Sequence, residues 1–419
     1  MNYEIIFDDI TRTIRKDYAG AAEIKRPEDA HDFSNQLASA YKAKKLDNVF
    51  FLRIMNQYLG TLGDKNLKLE LRESDDYKQT DRGLTVRLYE KELYVTSSCD
   101  DRIKPGDKLG KINAKSPKWY LEHMTKNILG SDTPERMDWT EFLNSSERVR
   151  VERPDGTQEF MDLEKFPLRA HSEAMEFSEP AEKTVLLRFD SFKKPEEVEA
   201  FIEEHKDALD ACEKLIIDLR CNEGGFEDAF YPLLPYVIDR DMKLGEFMGE
   251  QGVYTNYTRI NCRRRREQLK PYLNAEDEEY RKMALLLTEE SREKEGSGYL
   301  LEKEELPQAD EMLTAKGTKQ VIILTDTYTE DAAETFVQQA KRMKKVQVVG
   351  RPTSGRIDYS NPVSVLYQDA FIFTYPISRS RDCQKGKGVK ETGVAVDEYI
   401  AWTPEEITKD VILAKALEM

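Results

Sequence analysis

Two stretches of this chain are apolar at consecutive positions rather than at alternate ones. In "KLIIDLRCNEGG", residues 214 to 225, Leu215, Ile216 and Ile217 run together and the segment ends in a Gly-Gly loop. In "QVIILTDTYTEDAAETFVQQAKR", residues 320 to 342, Val321 to Leu324 empty into a short Thr/Asp loop. A strand with apolar side chains on both faces is a fully buried one, in keeping with the α/β pattern of this half of the chain. After the second run Ala333, Phe336, Val337, Ala340 and Met343 recur at the spacing of one helix face. A strand therefore hands over to a helix at the place where α/β proteins tend to hold nucleophiles and anions. The residue standing there is Asp331.

The rest of the second half fits the same frame. "TVLLRFDSF" (184–192) reads as a strand, "PEEVEAFIEEHKDAL" (195–209) as an amphipathic helix, and "VQVVGRPTSG" (346–355) as another strand. "VSVLY...FIFTY" (363–375) reads as a hairpin and "GVKETGVAVDEYI" (388–400) as a last strand region. Thr403, Pro404 and Glu406 have the pattern of a cap, a first-turn proline and a capping box for a final helix. Residues 241–312 are highly charged with few strand signals, and are expected to form a helical insertion or lid.

Before residue 145 the periods are different. Phe33, Leu37, Tyr41, then Phe50, Ile54, Tyr58 and Leu62 recur at helical spacing, so residues 1–75 are expected to be mainly helical, ending in the alternating strand "NLKLELRE" (66–73). From residue 80 to about 125 short alternating strands surround "KPGDKLGKIN", where Pro105 and Gly106 make a turn, Asp107 can cap it, and Leu109 and Ile112 face a core. This segment resembles a PDZ domain, and the resemblance puts Arg82, Gly83 and Leu84 in the place of its carboxylate-binding loop. Residues 145–166 read as further strands with Asp155-Gly156 as a hairpin turn.

Composition narrows the functions. The 419 residues carry a formal charge of -16, which repels nucleic acid, so the basic run Arg263 to Arg266 reads as a solvated helix face. No apolar run is long enough to cross a membrane or to serve as a signal peptide, and the expected location is the cytoplasm. Five scattered cysteines without a CxxC pair argue against a disulfide framework and a zinc site. No metal or cofactor is implied.

The motifs "LIIDLRCNEGG", "DTYTEDAAETFVQQAKR", "VVGRPTSG" and "GVAVDEYI" stand in the order and spacing of the S41 serine peptidases. These are the C-terminal-processing or tail-specific peptidases, with their tricorn-like members. The resemblance implies an α/β fold with a ClpP/crotonase-like β-α core at 145–240 and 313–419, the helical N-terminal region, the embedded PDZ-like domain and the helical insertion. In that family the second Ser of an approximate Ser-Ala-Ser-Ala-x-Glu is the nucleophile; the matching residue is Asp331. The Lys that acts as base in "G-x-T-x-G-K" matches Arg356, and a guanidinium does not give up its proton. The tricorn-like "Leu-x-Asp-x-His" matches Leu62 to Asn66, placing Asn66 where a His base would be.

By the same resemblance Gly224, Gly225 and the amide of Ala332 are the oxyanion-hole donors. Asp331 would fill that hole with its own charge and pair with Arg356. Asp331 is also readable as a plain helix cap, boxed with Glu334, as an acid-base group, or as a ligand or metal contact. Thr329, Thr353, Ser354 and Cys221 are the nearby hydroxyls and thiol, and His31, His123, His171 and His205 all lie outside the motifs. The functional expectation is a catalytically inactive relative that binds peptides or unfolded protein C-termini, oligomeric or not. The alternative is an active serine-type hydrolase with a rearranged site.

Overall fold

A computed structural model describes all residues except 25–28, 74–78, 124–132, 170–171, 251, 304–305 and 307. The two continuous apolar runs lie side by side in the middle of a six-stranded sheet. Its order is Glu398–Tyr399, Val346–Gly350, Gln320–Thr325, Lys214–Asp218, Thr184–Phe189 and Met175–Ala181. All neighbours are parallel except the last pair. Ile217, Val321 and Ile323 face a large core completed by Phe230, Phe336 and Val337. Ile216, Ile322 and Leu324 face the other way, against Ile412 and Ala416 of the C-terminal helix Val411–Glu418. Both faces are covered, which is why neither run alternates.

A second, five-stranded sheet is antiparallel. Its longest strand, Phe371–Ser380, pairs along one edge with Tyr359–Tyr367 in a hairpin; along the other edge it pairs with Lys68–Leu71 near its start and with Val253–Tyr257, followed by Gly298–Glu302, near its end. The expected N-terminal helices, Asp29–Lys42 and Asn48–Gly60, and an earlier one, Tyr3–Lys16, pack on it. Ile10, Ile14, Phe51 and Ile54 share one core with Phe371 and Phe373. The N-terminal region and the late hairpin are thus one folded body.

The segment 241–312 is not purely helical, as its composition suggested. It holds the helices Arg259–Leu269 and Glu278–Glu293, but also the two strands that extend the second sheet. Its basic run is not simply a solvated face either. Arg264 is buried, donating to Thr13 Oγ1 at 3.1 Å and Tyr375 Oη at 2.9 Å.

A third sheet is also antiparallel and runs Leu84–Tyr89, Glu92–Ser98, Lys108–Ile112, Arg148–Glu152, Gln158–Asp162. The last two strands, read from sequence with the larger core, pair here instead, joined by the expected Asp155-Gly156 turn. Leu109 and Ile112 are buried with Trp139 and Phe142. Asp107 accepts from the Lys104 N–H at 2.7 Å, closing the Pro105-Gly106 turn as expected.

One terminal signal was misread. Thr403 makes no side-chain cap, and Glu406 reaches the guanidinium of Arg351 at 2.7 Å; the last helix is capped by Asp410. Arg351 is buried and needed a carboxylate more than the helix end needed Glu406.

Candidate active site

The strand Gln320–Thr325 leaves the central sheet and turns into the helix Ala332–Ala340 through Asp331, whose backbone lies at φ 52°, ψ -121°. A residue with a Cβ adopts this conformation only under strain, of order 1–3 kcal/mol, and such strain collects at functional turns. It is the sharp strand-to-helix elbow that presents a nucleophile in hydrolases, with a carboxylate at its tip. Glu334 accepts from the Asp331 N–H at 3.3 Å, so one half of the expected capping box is a direct hydrogen bond.

The Gly-Gly loop lies directly against the elbow. A Cβ on Gly224 would come 2.4 Å from Asp331 Cβ, and one on Gly225 would come 2.3 Å from the carbonyl carbon of Phe192. Both glycines have positive φ, 78° and 139°. Only glycine lets these backbones meet. Asn222, which sequence reading passed over, shapes the loop: it is fully buried, donates to the Phe189 carbonyl at 2.9 Å and accepts from the Gly224 N–H at 2.9 Å. The Gly224 amide is therefore already engaged. The Gly225 N–H points to Asp331 Oδ2 at 3.4 Å.

Asp331 is exposed. Desolvation by the surrounding walls raises its pKa, opposed by the Gly225 amide, the charge of Arg356 and the Ala332 amide. The expected Asp331–Arg356 ion pair does not form. Arg356 turns to the neighbouring carboxylate, Glu330, and to the Lys65 carbonyl at 3.1 Å. Adjacent residues on a tight turn point in different directions, and Glu330 faces the loop that carries Arg356.

The opposite wall is a closed polar network. The Asn66 amide donates to the carbonyls of Arg356 at 3.0 Å and Tyr359 at 3.1 Å, latching the 354–359 loop. Lys65 Nζ donates to Ser354 Oγ at 2.8 Å, and that hydroxyl donates to Glu330 at 3.0 Å. Burial, followed by the neighbouring charge of Arg136, lowers the Lys65 pKa. Glu334, fully buried, accepts from Thr353 Oγ1 at 2.5 Å, Gly355 N at 2.5 Å and Arg356 N at 2.7 Å. Burial raises its pKa despite these bonds. Sequence reading assigned Glu334 only the cap; its larger task is to tie the "GRPTSG" loop to the elbow.

The hydroxyls singled out in the sequence are spoken for. Thr329 Oγ1 donates to the Leu219 carbonyl at 2.8 Å, and Thr353 Oγ1 lies between Glu334 and the Val394 N–H. The Cys221 thiol is pushed up by burial, which leaves less thiolate. His31 and His123 are exposed and His205 stacks on Phe177, while His171 lies outside the described residues.

Two arginines tie the third sheet and its flank to this site. Arg87, on the strand Leu84–Tyr89, grips both oxygens of Asp326 at 3.0 and 2.9 Å, and Arg136 donates at 2.6 Å to the carbonyls of both Thr353 and Ser354. Burial opposes ionisation of Asp326, but Arg87 and Arg351 outweigh it and hold its pKa low. The expected carboxylate-binding loop is less open than the resemblance implied. The Arg82 N–H already donates to Asn144 at 3.2 Å and the Gly83 N–H to Asp81 at 2.7 Å, while the Arg82 guanidinium holds the Leu163 carbonyl. Leu84 begins the edge strand, paired on one side only within its sheet.

The family model described as Peptidase family S41 matches residues 183–400, just over half of the chain. The chain belongs to peptidase family S41. The reading drawn from the four motifs is borne out, and the S41 match spans all of them. Among solved structures, mature CPAF complexed with lactacystin superposes with a TM-score of 0.65 at 15% identity, covering 100% of this S41 chain and 97% of that one. The CPAF s499a mutant gives 0.62 at 14% identity, covering 97% and 94%. At such identities the likeness is one of fold.

Proposed function

We propose that this S41 chain is a pseudopeptidase, which keeps the groove of its family to bind peptides or protein C-termini and does not cleave them by the family's serine mechanism. The observation that carries the reading is the Asp331 carboxylate at the strained elbow, beside the Gly225 amide. Acyl transfer needs a nucleophile there and a group to take its proton. Arg356 is engaged with Glu330, and the Asn66 amide is engaged with two backbone carbonyls. On this reading Gly225 and Ala332 are the remains of the oxyanion hole, and Gly224, its amide given to Asn222, has left it. The central sheet is the ClpP/crotonase-like core and the third sheet the PDZ-like domain. Its edge strand Leu84–Tyr89 has unpaired backbone groups to which an extended peptide can add. The five free cysteines accord with a reducing, cytoplasmic setting.

A second reading, a working hydrolase with a rearranged site, is favoured by one contact: Lys65 Nζ at 2.8 Å from Ser354 Oγ. Ser354 is fully buried and its hydroxyl is held by Glu330, which supports a structural role. The test is hydrolysis of casein with fluorophosphonate labelling. The unmutated chain, and Asp331→Ser alone, are expected to show neither turnover nor labelling, because no base is restored and losses within a triad are strongly non-additive. Labelling mapped to Ser354 would establish the second reading, and turnover by the unmutated chain would overturn the first.

A further inference from the structure

Resting on the pseudopeptidase reading, we propose that the elbow selects ligands by charge: it takes a lysine or arginine side chain of an extended peptide. The cation pairs with the Asp331 carboxylate and its stem lies on the exposed rings of Phe226 and Tyr328. In an active relative this place receives a carbonyl that becomes an oxyanion; a fixed carboxylate repels such a group and attracts a cation.

Several independent features converge. Asp331 is exposed, and no Lys or Arg nitrogen is within ion-pair distance of it among the described residues, since Arg356 has turned to Glu330. Its carboxylate meets only backbone amides, a partial compensation for the water that the groove walls remove, so an arriving ammonium or guanidinium relieves a real electrostatic deficit. Phe226 directly follows Gly225 and is 58% exposed, and Tyr328 lies on the elbow loop at 45% exposed. The two rings stand on the two loops that meet at Asp331, and an aromatic ring left in water is a receptor for a cation on a hydrocarbon stem. Arg87 already stacks on Tyr328, its guanidinium carbon 5.0 Å from the ring centre, so what this ring offers a ligand is its exposed part, for the hydrocarbon stem rather than the charge. The net charge of -16 adds long-range attraction for a basic ligand.

The experiment measures fluorescence anisotropy with two labelled, end-blocked peptides, each with three alanines on either side of a central residue that is lysine in one and norleucine in the other. The two side chains share an apolar stem and differ in charge. The lysine peptide is expected to bind about tenfold more tightly at low salt, with the ratio falling as ionic strength rises. Asp331→Asn should bring the ratio to within about twofold; Asn has the shape of Asp and carries the same backbone strain, so the elbow keeps its shape. Phe226→Ala, which leaves the backbone of the elbow unchanged, should lower the ratio in part and provides a second variant should Asp331→Asn fold poorly. Equal binding of the two peptides, a ratio unchanged in both variants, or binding of neither peptide overturns the proposal. Casein turnover in the same preparation reads the pseudopeptidase assignment separately. Charge selection without turnover supports both, turnover with charge selection overturns only the assignment, and binding without charge selection overturns only the ligand class.

Discussion

The two walls of the site are held together in different ways. On the elbow wall, the backbone of Asp331, Gly224 and Gly225 keeps a conformation that only glycine or a strained residue adopts, and the tip is open to solvent. On the opposite wall, Asn66, Lys65, Ser354, Arg356 and Glu330 are joined into a closed hydrogen-bonded ring around the buried Glu334. On the first wall the strongest local demand is backbone geometry; on the second it is the satisfaction of buried polar groups.

This contrast can be broken most severely at Gly225. A Cβ there meets the backbone of Phe192 and Lys193 at 2.3 to 2.5 Å, and the φ of 139° is closed to L side chains. Gly225→Ala should cost about 4 kcal/mol or more, read as a drop in the urea midpoint. A midpoint close to that of the parent would mean that the elbow wall is not set by its backbone.

A smaller effect belongs to the opposite wall. Asp64, buried beside Asn66, accepts from Tyr18 Oη at 2.9 Å and from the Asn66 N–H at 2.8 Å, and burial raises its pKa from 3.8 to about 6. Its folded pKa lies above its unfolded one, so between about pH 4 and pH 6 the folded state holds the proton that the unfolded state has lost. The stability that protonation provides is complete below pH 4 and is lost as pH rises through 6, in total on the order of 3 kcal/mol. Asp64→Asn should remove this fall, so the difference in unfolding free energy between variant and parent should grow in the variant's favour from pH 4 to pH 6.5 and then level off. A pH-independent difference would show that Asp64 is not a buried acid of this kind.

The gentlest probe returns to the tip of the elbow. Asp331→Gly relieves the strain at φ 52° and surrenders one long bond from Gly225, so a net gain of about 1 kcal/mol is expected in the same denaturation measurement. A loss of stability instead would mean that Asp331 is held there as a structural cap.

Much of this was legible beforehand, and the reasons are local. Val321 to Leu324 followed by a helical apolar stripe spelled out the strand, elbow and helix, because continuous burial and a period near 3.6 leave distinct patterns. The glycines were legible for the same reason: a pair at the end of a buried strand announces backbone contact. The destination of Arg356 was not. It depends on whether Glu330 or Asp331 faces the 354–359 loop, which a strained turn decides and no periodicity records. The partners of Asn66, Glu334 and Glu406 were equally hidden, since each bond joins residues distant in sequence.

Sequence by itself determined what chemistry Asp331, Arg356 and Asn66 can offer, because a side chain's capacity to attack or to accept a proton resides in its own chemistry. It also determined the buried strands of the core, through apolar runs that only two-sided burial can accommodate. Tertiary structure alone decided which sheet the late hairpin and the strands at 148–162 would join, and which carboxylate each arginine would meet. Strand pairing and ion pairing are competitions among groups far apart along the chain, and only the folded arrangement brings the competitors within reach of one another.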